Sequence, residues 1–356
     1  MKITHISFER LDLKLSDPYT IAYETIDRTS NFILKLETDI KIVGYGCAAP
    51  DPVVTNESPS DVTYAINNII IPYLLGKDPF TYALLLLELK ELLAKRSSAL
   101  AMVDLALFDI MSKKAEVPLY KFLGGYRNSI ATSITIGIMG VDETLLKATE
   151  FVNQGFTILK IKGGSNLEED IAKMRMIHEK YPNIELRFDG NQGYSVKESV
   201  AFVKATAAIG VEIFEQPTKV EAEERLGEVM DQVNVPIMAD ESLKTLTDAF
   251  RLAQNERVDM VNIKLQKVGG IWVGMHINSV AKAAKLDAMV GCIDECGLGI
   301  AAGLHFALSR PNIKYADLDG HLDIIDDPYH SIFKLEKGIL YPTEKHGLGF
   351  SESDIM

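Results

Sequence analysis

The sequence predicts an α/β chain: a βα barrel of eight strands and seven helices, preceded by a smaller unit of strands and then helices. Three observations predict it. Five short apolar runs, ILKIKG, ELRFDGN, EIFEQP, PIMADE and MVNIKL, each end in polar residues. Segments of helical periodicity, such as 167–180 and 195–209, separate them. The polar ends recur at near-constant intervals, with Lys162, Asp189, Glu215, Asp240 and Lys264 lying 27, 26, 25 and 24 residues apart. Buried strands alternating with amphipathic helices at such a period are repeated βα units on a parallel sheet. A βα barrel keeps its active site at the C-terminal ends of those strands.

Taken in order, residues 2–13 and 31–37 alternate polar and apolar and read as strands, and 41–45 follow a turn as a third. Between the first two lies a polar stretch, 16–30, read as a loop and containing Tyr19 and Glu24. Residues 61–75 and 80–116 are helical, and SSALAMVDLALFDIMSKKA is apolar over so wide a face that its helix is buried. Pro118 and the Gly124–Gly125 pair of VPLYKFLGG break that pattern, which sets the boundaries at 1–120, 121–322 and 323–356. SITIGI is the first barrel strand, followed by a helix from Asp142, and the five runs above are strands two to six. DAMVGC, ending at Cys292, is strand seven, and KYADLDG, ending at Gly320, is strand eight. The turn-like DIIDDPYHS comes next, so no helix closes the barrel and the tail packs back on the N-terminal unit.

Composition narrows the partners. With 356 residues, 47% of them apolar, the chain can fold as two domains around a sizeable core. A net charge of −13 argues against nucleic acid, which needs a basic footprint. Three cysteines give no disulfide framework, and Cys292 and Cys296 lack the second pair or histidine cluster of a zinc site. The opening MKITHISFER holds no long apolar run, so neither a signal peptide nor a membrane anchor is expected, and the expected compartment is the cytoplasm. The expected assembly is a homo-oligomer of a small-molecule enzyme.

Asp189, Glu215 and Asp240 end three successive strands, so three carboxylates converge on one part of the barrel mouth. Anions that close repel and raise one another's pKa, a conflict that a divalent cation resolves. All-oxygen ligands favour Mg²⁺ over Zn²⁺. Lys160 and Lys162, two apart on strand two, point the same way, and Lys264 ends strand six across the axis. A buried lysine beside another cation is expected to have a depressed pKa and to serve as a base near neutrality. Lys160 would supply that second charge and could also meet a substrate carboxylate. Two opposed bases flanking one carbon are what a stereochemical inversion needs. Lys267, Lys282 and Lys285 read as ordinary solvated lysines, and His178, His276 and His305 as structural. Asp317 and Asp319 share a face at the end of strand eight, where they suit a substrate ammonium or, equally, cap a turn before Gly320. Glu24, Asp294 and Glu295, taken singly, read as surface charges.

VPLYKFLGG, the K-x-K of Lys160 and Lys162, FDGNQG, EQP, ADES, NIKLQKVGG and GCIDECGLG together resemble the enolase superfamily, in its muconate-lactonising subgroup, over essentially the full length. The resemblance implies an α+β capping domain over a modified TIM barrel, (β/α)7β. It implies Asp189, Glu215 and Asp240 as Mg²⁺ ligands and Lys162 and Lys264 as the acid/base pair. Asp317–Leu318–Asp319 resembles the D-x-D motif of dipeptide epimerases, which holds the dipeptide's amino group. Thr135, Cys292 and Asp294 match substrate-contacting positions. Where Glu24 stands, the Ala-Glu epimerases carry an arginine; Asp294 replaces a residue that is commonly apolar, and Cys296 a serine or threonine. These changes imply a dipeptide whose C-terminal residue is cationic, or at least not acidic. Rival activities on the same frame are N-acylamino acid racemase, o-succinylbenzoate synthase and cycloisomerase. A rival of another class is a binding protein on a retired enzyme frame.

Overall fold

The computed structural model describes residues 1–21 and 24–351, with side chains left aside over 17–26. Strands β1 (Ile3–Ile21), β2 (Glu24–Thr38) and β3 (Val43–Ala48) form an antiparallel sheet in that order. The polar stretch expected to be a loop is instead strand on both sides, paired from Leu13 with Thr29 and Lys14 with Arg28 through to Ile21 with Glu24. The physical reason is that backbone pairing holds the ladder, and such pairing needs no polar–apolar alternation of side chains. Alternation therefore vanishes while the ladder continues, and cross-strand polar contacts such as Ser30 Oγ to Asp12 Oδ1 at 2.6 Å replace it. The ribbon is not free-standing. Ser16 N donates to Asp323 O at 2.7 Å, and Ile325 N to Lys14 O at 2.9 Å, so it is tied to the segment that follows the barrel.

Helix α1 (Pro59–Ala65) starts at a Ser58–Asp61 capping box and runs through a π turn into α2 (Ile71–Leu74). The expected single run over 80–116 is two helices, α3 (Tyr82–Leu93) and α4 (Ser97–Lys114). Ala94 and Lys95, at φ 45° and 76°, reverse the chain between them so that α3 packs back on α4. Helix α4 lies on the sheet, buried along most of its length. Only glycine fits beneath it at Gly46, where a Cβ would stand 1.9 Å from Met102 O. A short α5 (Leu119–Phe122) and strand β4 (Ile130–Ala131) lead into the barrel.

The barrel alternates β5 (Ile134–Ile136), α6 (Val141–Asn153), β6 (Ile158–Lys162), α7 (Leu167–Lys180), β7 (Glu185–Asp189) and α8 (Val196–Ala205). It continues with β8 (Ile213–Glu215), α9 (Glu224–Met230), β9 (Ile237–Ala239), α10 (Leu246–Gln254) and β10 (Met260–Lys264). After β10 the chain makes α11 (Leu265–Val268) and α12 (Ile271–Ala283), then β11 (Asp287–Gly291), α13 (Gly297–Ser309) and β12 (Ile313–Asp317). The eight strands β5 to β12 are parallel neighbours in sequence order. A bridge from Thr132 to Ala316, with Ser133 N donating to Ala316 O at 3.2 Å, brings the two edges together. An edge so joined offers no free ladder. Among the described residues no helix follows β12, as the turn-like DIIDDPYHS leads one to expect.

The N-terminal unit and barrel are joined by buried polar ties as well as by apolar contact. Asp104 of α4 accepts from Ile271 N at 2.6 Å and Trp272 N at 3.0 Å, capping α12 across the interface. Strands β13 (Phe333–Glu336) and β14 (Ile339–Pro342) form a hairpin whose second strand pairs with β4. Farther on, Leu348 N donates to Asp109 Oδ1 at 2.8 Å, and the Phe350 ring meets Tyr45 at 4.7 Å. The tail thus touches both units. Among the described residues no single helix is long and apolar enough to cross a membrane.

Candidate active site

Lys162, Asp189, Glu215, Lys264 and Asp317 are the last residues of β6, β7, β8, β10 and β12, and Asp240 follows β9 directly. The register sets Lys162 beside Asp189 and Asp189 beside Glu215. All therefore stand at the C-terminal mouth of the barrel. A pocket there is lined by Thr135, Lys160, Lys162, Lys264, Cys292, Asp294, Asp317 and Asp319. Strands β6 and β10 lie four apart in a ring of eight, so Lys162 and Lys264 enter that pocket from opposite sides. Asp189, Glu215 and Asp240 are more deeply set, at 1%, 2% and 3% exposure.

Lys160 is the electrostatic centre. Its Nζ lies 2.7 Å from Glu215 Oε2, 2.9 Å from Asp317 Oδ2 and 3.2 Å from Asp189 Oδ2. Burial opposes its charge, yet those carboxylates outweigh burial and hold the ammonium well above the ordinary lysine range. Lys264 Nζ lies 2.9 Å from Asp240 Oδ2. Burial pulls its pKa down, but Asp240 raises it more than the neighbouring Lys160 lowers it. The depressed pKa expected of a lysine base is thus reversed at Lys264, because a carboxylate, not a second ammonium, is its nearest charge. Lys162 is held more loosely, 4.0 Å from Asp189 Oδ2.

The carboxylates divide accordingly. Burial opposes ionisation of Asp240, but Lys264 and Lys267 keep it below the usual carboxylate range. Burial, only partly offset by Lys160, pushes Glu215 up to about 8, although Asn262 Nδ2 donates to its Oε1 at 2.7 Å. Asp189 Oδ2 and Glu241 Oε2 are sealed from solvent without a well-directed hydrogen bond. Among the described residues, no three acidic, histidine or cysteine side chains close around one point as a metal cage does. Lysine ammoniums stand between the carboxylates instead. The donor set still fits a hard divalent cation, because it is carboxylate oxygen throughout and Asp189 Oδ2, ion-paired with Lys160 but without a hydrogen bond, has room for such an ion.

Asp317 and Asp319 differ in environment. Asp317 Oδ1 accepts from Ser133 Oγ at 2.6 Å and its Oδ2 faces Lys160, so its carboxylate is fully engaged from inside the barrel. Asp319 Oδ2 accepts from Thr135 N at 2.6 Å, and Cys292 Sγ lies 3.9 Å from Oδ1. Burial, then the Asp317 charge, pushes Asp319 up to about 7.

The sequence matches the mandelate racemase / muconate lactonizing enzyme N-terminal domain over residues 4–124 and the enolase C-terminal domain-like family over 143–354. The chain belongs to the mandelate racemase / muconate lactonizing enzyme family. It is 42% identical to the L-Lys-D/L-Arg epimerase of Desulforapulum autotrophicum, over 98% of this chain and 99% of that one. The dipeptide epimerase of Enterococcus faecalis V583, solved with Mg and L-Leu-L-Tyr, has 36% identity and a TM-score of 0.94, over 99% of this chain and 100% of that one. The dipeptide epimerase of Methylococcus capsulatus, solved with Mg and L-Arg-D-Lys, has 35% identity and a TM-score of 0.92, over 98% and 99%.

In this member of the mandelate racemase / muconate lactonizing enzyme family, the expected surface charge Glu295 is buried at 3% exposure and accepts from Gln266 Nε2 at 3.1 Å, and a second expectation fails at Lys267. Expected in solvent, it is 2% exposed and donates to both the carboxylate and the backbone carbonyl of Asp240. Its helix α11 packs against α4 of the other unit, which no local pattern reveals. Sequence reasoning also missed Asn262, Arg187 and Ser133. Arg187 Nη1 donates to Ser133 Oγ at 3.2 Å and to Ala316 O at 3.0 Å, beneath Asp317. A signal existed, since Arg187 and Asn262 stand two before Asp189 and Lys264 and so share their faces. Asp294 lines the pocket, and its carbonyl accepts from Thr29 Oγ1 at 2.9 Å and Asn31 Nδ2 at 3.0 Å, which ties this loop to β2. The side chain of Glu24 lies outside the described residues. His305 is structural, its Nδ1 accepting from Tyr120 N at 3.0 Å.

Proposed function

We propose that this protein is a Mg²⁺-dependent dipeptide epimerase that inverts the α-carbon of the C-terminal residue and favours cationic dipeptides. The observation that carries the reading is the pair Lys162 and Lys264, set on opposite walls of one pocket whose rim holds Asp317 and Asp319. One lysine takes the α-proton from one face, and the other returns a proton to the opposite face. Asp189, Glu215 and Asp240 hold the cation. When bound, it supplies positive charge that stabilises the enediolate between the two transfers. Lys160 faces Glu215, Asp189 and Asp317 at once and holds the three side chains in place. The testing experiment is incubation of L-Lys-L-Arg in D₂O, with and without Mg²⁺. Appearance of the C-terminal epimer carrying α-deuterium, only with metal, is the expected result. No epimer and no exchange across a dipeptide library would sink the reading.

Asp319, with Asp317 behind it, binds the dipeptide's ammonium. An N-acetylated dipeptide should then lose about ten- to a hundredfold in kcat/KM, the worth of a charge-assisted hydrogen bond of about 1.5–3 kcal/mol. Equal kcat/KM for free and acetylated forms would point instead to an N-acylamino acid racemase.

Side-chain preference follows from charge. Asp294 and Asp323 both line the pocket, and Glu24 is an acid where Ala-Glu epimerases carry arginine. The relative from D. autotrophicum acts, by its name, on a dipeptide of two cationic residues. A substrate carboxylate beside these acids would meet like charge in a partly dry site, which is repulsion enough to reject it. L-Ala-L-Lys should therefore exceed L-Ala-L-Ala, and L-Ala-L-Glu should be poorest, by about tenfold or more in kcat/KM. Glu24→Arg should compress or invert that ranking. A best rate with L-Ala-L-Glu would show the charge argument wrong, and an unchanged ranking in Glu24→Arg would place Glu24 outside the pocket.

A further inference from the structure

We infer that Tyr194 and Asp170 are positioning residues for Lys162, and so for one face of the inversion only; this rests on the proposed two-base reading. Lys162 ends β6, and the chain must turn at once through Gly163 and Gly164 toward α7. Gly164 N donates to Asp170 Oδ2 at 2.9 Å. The same oxygen accepts from Tyr194 OH at 2.6 Å, and Lys173 Nζ lies 3.3 Å from Asp170 Oδ1. Asp170, Lys173 and Tyr194 are 1%, 2% and 5% exposed. A fully buried carboxylate thus spends one oxygen on the turn behind the base and on the loop after β7.

The fit is close. A Cβ on Gly164 would stand 2.1 Å from Gly190 O, and one on Gly193 would stand 2.2 Å from Gly164 O. The two loops are wedged together with no side chain between them, and the Tyr194–Asp170 bond fastens the wedge. The two lysines differ in what else holds them. Lys264 is 2.9 Å from Asp240, whereas among the described residues the ion-pair contact of Lys162 is the longer one with Asp189, at 4.0 Å. The position of Lys162 therefore depends on where its backbone is set. Asp189 has independent support, since Asn191 N donates to its Oδ1 at 3.0 Å and Lys160 faces Oδ2. Loosening Tyr194 should reach Lys162 before it reaches the metal ligands. Neither Tyr194 nor Asp170 stands out in the sequence, because a tyrosine in a loop and an aspartate in a helix's first turn have ordinary structural roles.

The experiment follows deuterium entering each epimer of the L-Lys-Arg dipeptide separately, with full-length protein, Mg²⁺ and D₂O. Lys162→Ala and Lys264→Ala first assign each epimer to its lysine. Tyr194→Phe removes one hydroxyl from a packed ring. It should slow exchange in the Lys162-dependent epimer about tenfold, as sub-ångström misplacement of a base does, and leave the other within about twofold. The Mg²⁺ concentration for half-activity should not move. Asp170→Asn, which keeps an acceptor oxygen but drops the charge, should show the same asymmetry at smaller size, and it carries the test if Tyr194→Phe does not fold. Equal slowing of both epimers, no slowing in either, or a weakened Mg²⁺ response would overturn the inference. If Lys162→Ala and Lys264→Ala silence the same epimer, the two-base reading itself fails and takes this one with it. If they silence opposite epimers while Tyr194→Phe slows both alike, only the positioning role is lost.

Discussion

Lys264→Ala should abolish epimerisation, and so should Lys162→Ala, while each variant still exchanges the α-proton of one substrate epimer. The walls of the pocket dictate this outcome. Lys162 and Lys264 come from strands on opposite sides of the barrel, so each can reach only one face of a carbon held between them. Removing a positioned acid or base costs about a hundred- to ten-thousandfold, so the epimerisation rate should fall about a thousandfold or more in either variant. Exchange needs only one lysine to remove a proton and return a deuteron to the same face, so the surviving base sustains it. Lys264 carries an additional consequence. Asp240, 2.9 Å away, raises its pKa and favours the ammonium form. A cation that engages Asp240 competes for that carboxylate, and the basicity of Lys264 should fall as metal binds. Either lysine variant retaining epimerase activity within tenfold of wild type would refute the two-base assignment.

Much of this site was legible in the sequence because the βα unit has a fixed period. Polar residues closing apolar runs at that period had to share one rim, which located Lys162, Asp189, Glu215, Asp240 and Lys264 before any packing was known. The same logic placed Lys160 beside Lys162. On β7 and β10 that two-residue spacing marks Arg187 and Asn262 as well. Lys267 was beyond reach, because its burial comes from α4 packing over α11, a contact more than 150 residues distant in the chain. The ribbon of β1 and β2 is hard to see in the sequence because alternation reports a buried face, whereas backbone pairing continues this ladder through a polar stretch. The break at Ala94 and Lys95 was missed for the opposite reason: residues with good helical propensity occupy left-handed positions because α3 must fold back on α4. The charge states were the least legible. Which carboxylate each ammonium touches depends on side-chain placement finer than strand register.

Asp240→Asn should lose both metal affinity and nearly all turnover, for reasons that separate it from a simple structural defect. Asp240 is the meeting point of two lysines, with Lys264 on Oδ2 at 2.9 Å and Lys267 on Oδ1 and on the backbone carbonyl. An amide there keeps the shape but removes the anion. Three buried oxygen ligands then carry one charge fewer toward a divalent ion, and the charge stabilisation withdrawn is several kcal/mol. At about 1.4 kcal/mol for each factor of ten, kcat should drop about a thousandfold or more. The variant also leaves Lys264 and Lys267 without their anion in a buried setting, which favours the neutral amines. Exchange at the Lys264 face should therefore decline less steeply with falling metal concentration than exchange at the Lys162 face, since Lys264 has become the freer base. Calorimetric titration with Mg²⁺ measures the first effect, and deuterium entry into each epimer over a metal series measures the second. Wild-type protein that keeps full activity in excess chelator, or an Asp240→Asn variant with unchanged Mg²⁺ affinity, would remove Asp240 from the metal site and leave its two lysine contacts as a structural ion cluster.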